Sequence, residues 1–224
     1  MIPWELLDTA NIPGGGALKL KRRGTEFSIM LGDNELMNSR LSGSEQALAT
    51  LACERIAACP TPRLLIGGLG MGFTLRAALA VLGPQARVTV AELVPAVVAW
   101  ARGPMAELHD GSLDDARVSI AVTDVTQPIQ TARAKKWDAI LLDVDNGPDG
   151  LTRAANDGLY SRAGLLAARE ALSPGGVLAV WSAHEAPRFT QSLRKAGFAV
   201  EEVRVRAGRG RGARHVIWMA KRNS

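Results

Sequence analysis

From residue 63 onward, short runs of consecutive apolar residues alternate with stretches in which apolar residues recur every three or four positions. Continuous runs are typical of strands buried on both faces, and the second spacing is typical of helices. The predicted strands are Arg63–Gly67, Arg87–Glu92, Arg117–Val122, Asp138–Asp143, Val177–Ser182, Ala199–Arg206 and Arg214–Ala220. The predicted helices are about Gly72–Leu82, Pro95–Leu108, Thr126–Ala134, Ser161–Leu172 and Glu185–Ala196. This alternation predicts a parallel sheet with right-handed crossovers.

The last two predicted strands have no helix between them. Only the Gly- and Arg-rich segment Ala207–Ala213 connects them, so we expect an antiparallel hairpin. The predicted fold class is therefore α/β, with a sheet of seven strands that is mostly parallel and whose last strand is antiparallel. This is the architecture of the Rossmann-like methyltransferases.

The first sixty residues follow a different pattern. Ala17–Lys21 and Glu26–Leu31 alternate polar with apolar residues for much of their length, which predicts a small β-hairpin or meander. We therefore expect two parts in the chain. Residues 1–60 are predicted to form a small β-hairpin and helix segment, and residues 61–224 the Rossmann-like domain.

A helix is predicted to close the N-terminal segment. It begins near Ser42, and Ser42 and Glu45 have the spacing of a capping box, in which the two side chains satisfy backbone N–H groups reciprocally. Pro60 and Pro62 are predicted to end this helix, because proline lacks the N–H that a helix interior needs.

Composition places the chain among ordinary globular proteins. Its 224 residues are 47% hydrophobic and 22% charged, as expected of a single domain or of one domain with a small appendage. No apolar run approaches the ~20 residues of a bilayer span, and the N-terminus lacks the pattern of a secretory signal. The two cysteines, Cys53 and Cys59, are six residues apart on a predicted helix, where a disulfide is disfavoured. We expect a cytoplasmic protein with no membrane partner.

A formal net charge of +5 raises the question of a nucleic-acid partner. However, basic residues are scattered among acidic ones, and aromatic residues for base stacking are only 4% of the chain. These features indicate that the positive charge reflects the amino-acid usage of a GC-rich genome. We therefore expect no nucleic-acid partner. The three histidines are far apart and lie near no cysteine, so no metal site is expected.

A glycine-rich turn follows the first predicted strand of the Rossmann-like domain. Gly68, Gly70 and Gly72 form G-x-G-x-G, and the sixth position is Phe73, whereas a nicotinamide dinucleotide site requires glycine there. Such a turn before a helix lets a ligand approach the backbone closely. A tight turn with no ligand is the alternative for this feature taken alone.

Acidic residues follow the next three strands. Glu92 ends the second strand, twenty residues after Gly72, where a carboxylate can accept hydrogen bonds from two ribose hydroxyls. Asp124 follows the third strand and can accept from an adenine amine, and Asp143 ends the fourth strand. Because these strand ends open onto one crevice of an α/β sheet, they predict a site for a nucleoside with a sulfonium group.

The stretch from Leu64 to Ser182 resembles the spermidine synthase family of aminopropyltransferases, within the Rossmann-like S-adenosylmethionine-dependent superfamily. The matching segments are Ile66–Gly72, Val90–Val98, Arg117–Val118, Asp124, Trp137–Asp143, Leu159–Tyr160 and Leu172–Leu178. A small N-terminal β segment before the Rossmann-like domain is also typical of that family.

The strand ends and the resemblance together predict a site. The expected cofactor-binding residues are Gly67, Gly68, Gly70, Gly72, Glu92, Leu93, Asp124 and Val125. Asp143 is the expected catalytic residue, which binds an acceptor amine and removes its proton. The expected substrate-binding residues are Glu45, Asp145, Asn146, Tyr160 and Trp181. Packing is the alternative role for Tyr160 and Trp181, and a solvated loop is the alternative for the acids after Asp143.

The chain also departs from the family pattern. Gly70 stands where the family has an aspartate that helps to hold the free amine of the aminopropyl donor, and Met37 stands where the family usually has a glutamine. Gly43 and Ser44 replace two polar residues before the helix glutamate, which is kept as Glu45. The family's acid-rich loop keeps its first acid as Asp143, and its second acid is shifted.

These departures lead to an expected function. The loss of the aspartate at Gly70 favours S-adenosylmethionine over its decarboxylated form, so we expect transfer of a methyl group to an amine-bearing small molecule. Aminopropyl transfer from decarboxylated S-adenosylmethionine, as in spermidine synthase, is the alternative. A third hypothesis is a nucleoside-binding protein without catalytic activity. The sequence is also compatible with a homodimer.

Overall fold

A computed structural model of the chain describes residues 2–13, 15–132, 136–144, 158–208 and 212–223. The strands in these residues form two separate sheets. The strands are β1 Glu5–Asn11, β2 Ala17–Arg23, β3 Glu26–Leu31, β4 Asn34–Asn38, β5 Arg63–Gly67, β6 Arg87–Glu92, β7 Val118–Val122, β8 Trp137–Leu142, β9 Leu172–Ser182, β10 Phe198–Arg206 and β11 Arg214–Arg222. The helices are α1 Gly43–Arg55, α2 Phe73–Val81, α3 Pro95–Arg102, α4 Ala106–His109, α5 Thr126–Gln130, α6 Arg162–Ala171 and α7 Pro187–Lys195.

The larger sheet has the predicted topology. Its strand order is β10-β11-β9-β8-β5-β6-β7, and the pairs from β9 through β8, β5 and β6 to β7 are parallel. Strand β11 is antiparallel to both β9 and β10. The α/β fold class, with seven strands and an antiparallel last strand, is therefore confirmed. Each predicted strand lies within an observed one apart from single end residues, and β9 begins five residues earlier than predicted.

The smaller sheet is larger than the predicted hairpin. Strands β1 to β4 pair antiparallel in chain order, and the two predicted segments are β2 and β3. Leu18 and Leu20 alternate with more exposed residues along β2, as the pattern required. β1 was not predicted because most of its residues are exposed, so its sequence lacks a strong apolar face.

The predicted helix Pro95–Leu108 is interrupted. α3 ends at Arg102 and α4 starts at Ala106, with Gly103 and Pro104 between them. Proline disfavours a helical conformation in the residue before it, which accounts for the break. α5 is likewise shorter than predicted, and residues 133 and 134 of that prediction lie outside the described residues.

The predicted capping box at the start of α1 is wrong. The Ser42 side chain caps no backbone N–H of α1; its Oγ accepts a hydrogen bond of 2.8 Å from Gln46 Nε2. The Glu45 carboxylate instead accepts a bond of 2.6 Å from Ser44 Oγ. Glu45 is thereby available for a role other than capping.

Burial of one face fixes α1 against the larger sheet. Leu48, Ala49 and Ala52 are fully buried, and α1 packs on α2 and on strands β8 to β11. The cluster of buried side chains around α1 also includes Leu20 and Ile29 of the smaller sheet. A hydrogen bond of 2.6 Å from Trp100 Nε1 in α3 to Asp8 Oδ2 in β1 links a helix of the Rossmann-like part to the smaller sheet. The division at residue 60 stays a prediction, but its two sides share one apolar core.

Within the described part of the chain, no helix combines the length and the apolar character that a membrane crossing requires.

The packing of α1 gives a stability prediction. Leu48→Ala should lower the free energy of unfolding by about 2–5 kcal/mol, because a fully buried leucine leaves a cavity that the core fills only in part. Leu166→Ala is the matched control; Leu166 is 37% exposed on α6, and its truncation should change stability by about 0.5 kcal/mol or less. Chemical denaturation of both variants measures the difference, and equal losses would show that α1 is not anchored as described.

Candidate functional site

A pocket of about 210 Å³ lies at the carboxyl ends of β5, β6 and β8, under the smaller sheet. Side chains of the smaller sheet and its loops supply an apolar wall. These residues are Ile12, Leu18, Ile29, Leu36 and Met37. The opposite wall is the glycine loop and the ends of the parallel strands, as expected for a ligand site in an open α/β sheet. The pocket is therefore closed by elements from both parts of the chain.

The glycine loop brings bare backbone to the pocket. Gly68 has a φ of +86°, and a Cβ atom there would stand 2.8 Å from the carbonyl oxygen of Asp143. Gly70 has a φ of +49°, and its Cβ position lies 3.0 Å from Met37 Sδ. The two departures from the family pattern are thus neighbours, since the Met37 thioether stands beside the position of the missing aspartate.

Glu92 holds the glycine loop in place. Its Oε2 accepts a hydrogen bond of 2.8 Å from the Leu69 N–H, and its Oε1 accepts one of 2.8 Å from the Val94 N–H. The side chain is 6% exposed, and burial raises its pKa. Hydrogen bonds from the backbone N–H groups of Val94, Leu69, Gly70 and Leu93 oppose that rise. Glu92 therefore organises the loop in addition to facing the pocket.

Asp124 combines two roles in a similar way. Its Oδ1 accepts hydrogen bonds from the Thr126 N–H at 2.8 Å and from Thr126 Oγ1 at 2.7 Å, which starts α5. Only Oδ1 takes part in these bonds, so Oδ2 is available to a ligand amine in the pocket that Asp124 lines.

The pKa of Asp143 in the pocket is strongly raised. Burial raises its pKa to about 7, the neighbouring Glu45 carboxylate adds to the rise, and a hydrogen bond from Thr74 opposes it. Thr74 Oγ1 lies 2.7 Å from Asp143 Oδ2 and 3.4 Å from the Glu45 carbonyl oxygen. Thr74 therefore sits between the end of β8 and the first turn of α1.

Glu45 faces Asp143 from α1. Burial raises the pKa of Glu45, and the bond from Ser44 Oγ opposes that rise. Two like charges in a poorly solvated place repel, so the pair binds a proton or a cation more readily than either acid would alone. This pair is the strongest cation-binding feature of the pocket.

The charge of the pocket is of one sign. Among the described residues that line it, the ionisable side chains are all carboxylates, namely Glu45, Glu92, Asp124 and Asp143. No lysine, arginine or histidine lines it within the described ranges. Such a pocket attracts a cationic ligand and opposes an anionic one.

The structure brings most of the predicted site residues together. Those that line the pocket are Glu45, Gly68, Gly70, Gly72, Glu92, Leu93, Asp124, Val125, Asp143 and Trp181. Gly67 does not line it; its Cβ position would be 3.0 Å from Val125 and 3.2 Å from Leu142, so glycine there allows close packing. Tyr160 is not a lining residue either and packs edge-on against Phe189 at 5.5 Å between ring centroids. Asp145 and Asn146 lie outside the described residues.

Sequence reasoning missed two features of the pocket. Thr74 was not predicted, although a polar residue in the first turn after a glycine loop is a signal that could have identified it. The apolar wall was also missed, because strand alternation shows which residues of the smaller sheet are buried but not what they cover. In the described residues, no cluster of three or more His, Cys, Asp or Glu side chains could hold a metal ion.

Curated proteins similar in sequence share a name. The chain is 34% identical over 154 residues to polyamine aminopropyltransferase 1 of Streptomyces coelicolor, a match covering 65% of this chain and 28% of that protein. It is 33% identical over 145 residues to the polyamine aminopropyltransferase of Mycobacterium tuberculosis, covering 61% of this chain and 27% of that protein. The chain thus spans under a third of these relatives' length. No family model matches it.

Solved structures agree on the fold. The spermidine synthase of Thermotoga maritima superposes with a TM-score of 0.74 at 16% identity, over 97% of this chain and 73% of that one. A spermidine synthase in complex with the transition-state analogue AdoDATO gives the same TM-score, over 97% of this chain and 72% of that one. A carbon methyltransferase, CurJ, has a TM-score of 0.51. The resemblance to the spermidine synthase family within the Rossmann-like methyltransferase fold is confirmed.

The expectation of methyl transfer is wrong. The sequence relatives are named aminopropyltransferases, and spermidine synthases superpose better than the methyltransferase does. That expectation rested on Gly70, which stands where the family has an aspartate. Two other acids, Glu45 and Asp143, line the same pocket as Gly70.

The double role of Glu92 gives a prediction. Glu92→Gln should weaken binding of methylthioadenosine by about tenfold to a hundredfold, because an amide places an N–H where the carboxylate accepts from the loop or the ribose. Calorimetry with this nucleoside measures the loss. Glu107→Gln, on the exposed face of α4, is the control and should bind normally. Unchanged affinity in a folded Glu92→Gln variant would remove Glu92 from the nucleoside site.

Proposed function

We propose that this chain transfers the aminopropyl group of decarboxylated S-adenosylmethionine to a small-molecule amine. The observation that carries the proposal is the single sign of charge in the pocket, whose described ionisable residues are all carboxylates. Similarity to polyamine aminopropyltransferases supports it.

The donor follows from this charge. S-adenosylmethionine carries a carboxylate, and the described lining residues offer no cationic side chain to pair with it. Its decarboxylated form carries a sulfonium and an ammonium group and no anion. Carboxylates close to both cations stabilise that form, whereas a ligand carboxylate beside them would be repelled.

The nucleoside part of the donor would occupy the glycine loop. Glu92 would accept from the ribose hydroxyls, and Asp124 Oδ2 would accept from the adenine amine. This placement puts the sulfonium end toward Asp143 and Glu45, which line the same pocket beyond the loop. The apolar wall from the smaller sheet excludes water from the reacting groups and strengthens electrostatic interactions there.

The reaction needs only a positioned and deprotonated amine, because the sulfonium is already an activated electrophile. The acceptor enters as an ammonium ion, and a carboxylate removes one proton to leave a lone pair on nitrogen. That lone pair forms a bond to the aminopropyl carbon attached to sulfur. The carbon–sulfur bond breaks with its electron pair remaining on sulfur, which yields neutral methylthioadenosine. The product is a secondary ammonium ion, and the carboxylic acid returns its proton to water.

Asp143 suits the role of base. A pKa of about 7 lies near the working pH, where a base is both ionised and able to take a proton. Because the base must be ionised, we expect the rate to fall as the pH drops below about 7. Its position at the end of β8, beside the glycine loop, supports this role, because the sulfonium end of the proposed donor would lie there.

Donor binding tests the proposal. Decarboxylated S-adenosylmethionine should bind at least about tenfold more tightly than S-adenosylmethionine, since the latter brings a carboxylate into an acidic pocket. Calorimetry with the two compounds, and with methylthioadenosine as the neutral reference, measures the preference. Tighter binding of S-adenosylmethionine would overturn the proposed donor.

Turnover with a panel of amines completes the same test. Mass spectrometry should detect an aminopropylated amine and methylthioadenosine in equal amounts. Asp143→Asn should reduce the rate by about 10²–10⁴-fold with donor affinity largely kept, whereas Asp33→Asn, in an exposed turn, should have no effect. Tight donor binding without any product would instead indicate a nucleoside-binding protein.

A further inference from the structure

A hydrogen-bonded chain of three side chains leads from β11 to the pocket. His215 Nδ1 lies 2.8 Å from Ser44 Oγ, and Ser44 Oγ lies 2.6 Å from Glu45 Oε2. Ser44 is fully buried, so its hydroxyl is not in contact with bulk water. His215 and Ser44 are not lining residues of the pocket, and they reach it only through Glu45.

Counting protons fixes the direction of the chain. An ionised carboxylate can only accept, so the single Ser44 hydroxyl proton points to Glu45. The Ser44 oxygen then has to accept from His215, which requires the imidazole tautomer with its proton on Nδ1. Bonds aligned in one direction polarise one another, and the chain presents a strengthened donor to the Glu45 carboxylate.

His215 is itself held in place as a neutral ring. Trp181, a lining residue of the pocket, packs edge-on against it at 4.8 Å between ring centroids. Burial and the nearby His184 lower the pKa of His215, so the ring stays uncharged near neutral pH. Among the described residues, the ring also meets the Glu45 carboxylate through Ser44.

We propose that Ser44 and His215 are positioning residues that give Glu45 and Asp143 different roles. They hold Glu45 as the carboxylate that binds the acceptor ammonium and leave Asp143 as the base that takes its proton. This division rests on the proposed function. It follows from the different partners of the two acids, since Glu45 accepts from a polarised chain and Asp143 accepts from the Thr74 hydroxyl alone among the bonds described.

Two substitutions at His215 separate hydrogen bonding from packing. His215→Phe keeps a ring against Trp181 but removes the donor, and His215→Asn keeps an N–H donor but removes the ring. We expect His215→Phe to reduce kcat by about tenfold, with little change in the KM for the donor, and His215→Asn to retain more of the wild-type rate. The reverse order of the two variants would show that His215 serves packing and would overturn the proposal.

Ser44→Ala tests the chain at its centre. It should have the effect of His215→Phe, and the double variant should lose little more than either single variant, because each breaks the same chain. Additive losses would contradict a chain. Should Ser44→Ala fail to fold, the two His215 variants decide the question without it.

Carbon-13 NMR of the Glu45 carboxyl group gives a readout that needs no turnover. In Ser44→Ala, the pKa of Glu45 should rise by about one pH unit relative to the wild type, because a bond to its charged form is lost. In His215→Phe the rise should be smaller, because Ser44 still donates to Glu45 but is no longer polarised by the ring. An unchanged pKa would overturn the proposal even if the enzyme is active. A raised pKa in a protein that never turns over would support the chain and reject the proposed function.

Discussion

The repulsion between Glu45 and Asp143 is the interaction on which the site depends. The two carboxylates come from distant parts of the chain, one from the first turn of α1 and one from the end of β8. Each carboxylate raises the energy of the other in its charged form. Without a ligand the pair therefore tends to bind a proton, and a cationic ligand can take the place of that proton. The proposed amine acceptor and the proposed sulfonium donor are both cations, so this unfavourable pair would serve both binding and proton removal.

The fold supplies the stability that brings these acids together. Leu48 and its neighbours fix α1 over β8, and the smaller sheet joins the same core while it closes the pocket with apolar side chains. Glu92 ties the glycine loop to the start of α3 through backbone N–H groups. The residues expected to bind the nucleoside are therefore also those that shape the loop, which explains why binding and local structure are coupled here.

The larger sheet and the acids at its strand ends could be predicted from the sequence, because buried parallel strands give continuous apolar runs and their carboxyl ends meet at one edge. Glu45 was first placed in a capping box, because spacing alone does not show which way a side chain turns. Gly67 was assigned to the cofactor, but its contacts with Val125 and Leu142 are tertiary and leave no local pattern. The neighbouring positions of Met37 and Gly70 are likewise a tertiary contact that no local pattern shows.

Proton counting by calorimetry tests the role of the carboxylate pair most directly. Binding of decarboxylated S-adenosylmethionine and of neutral methylthioadenosine would each be measured near pH 7 in buffers of different ionisation enthalpy, which gives the number of protons released. Because Asp143 has a pKa of about 7, a fraction of the protein molecules carries a proton on the Glu45–Asp143 pair at this pH. A cation that binds beside the pair should expel this proton. The account predicts proton release with the cationic donor and little or none with methylthioadenosine. Equal proton counts for the two ligands would contradict it.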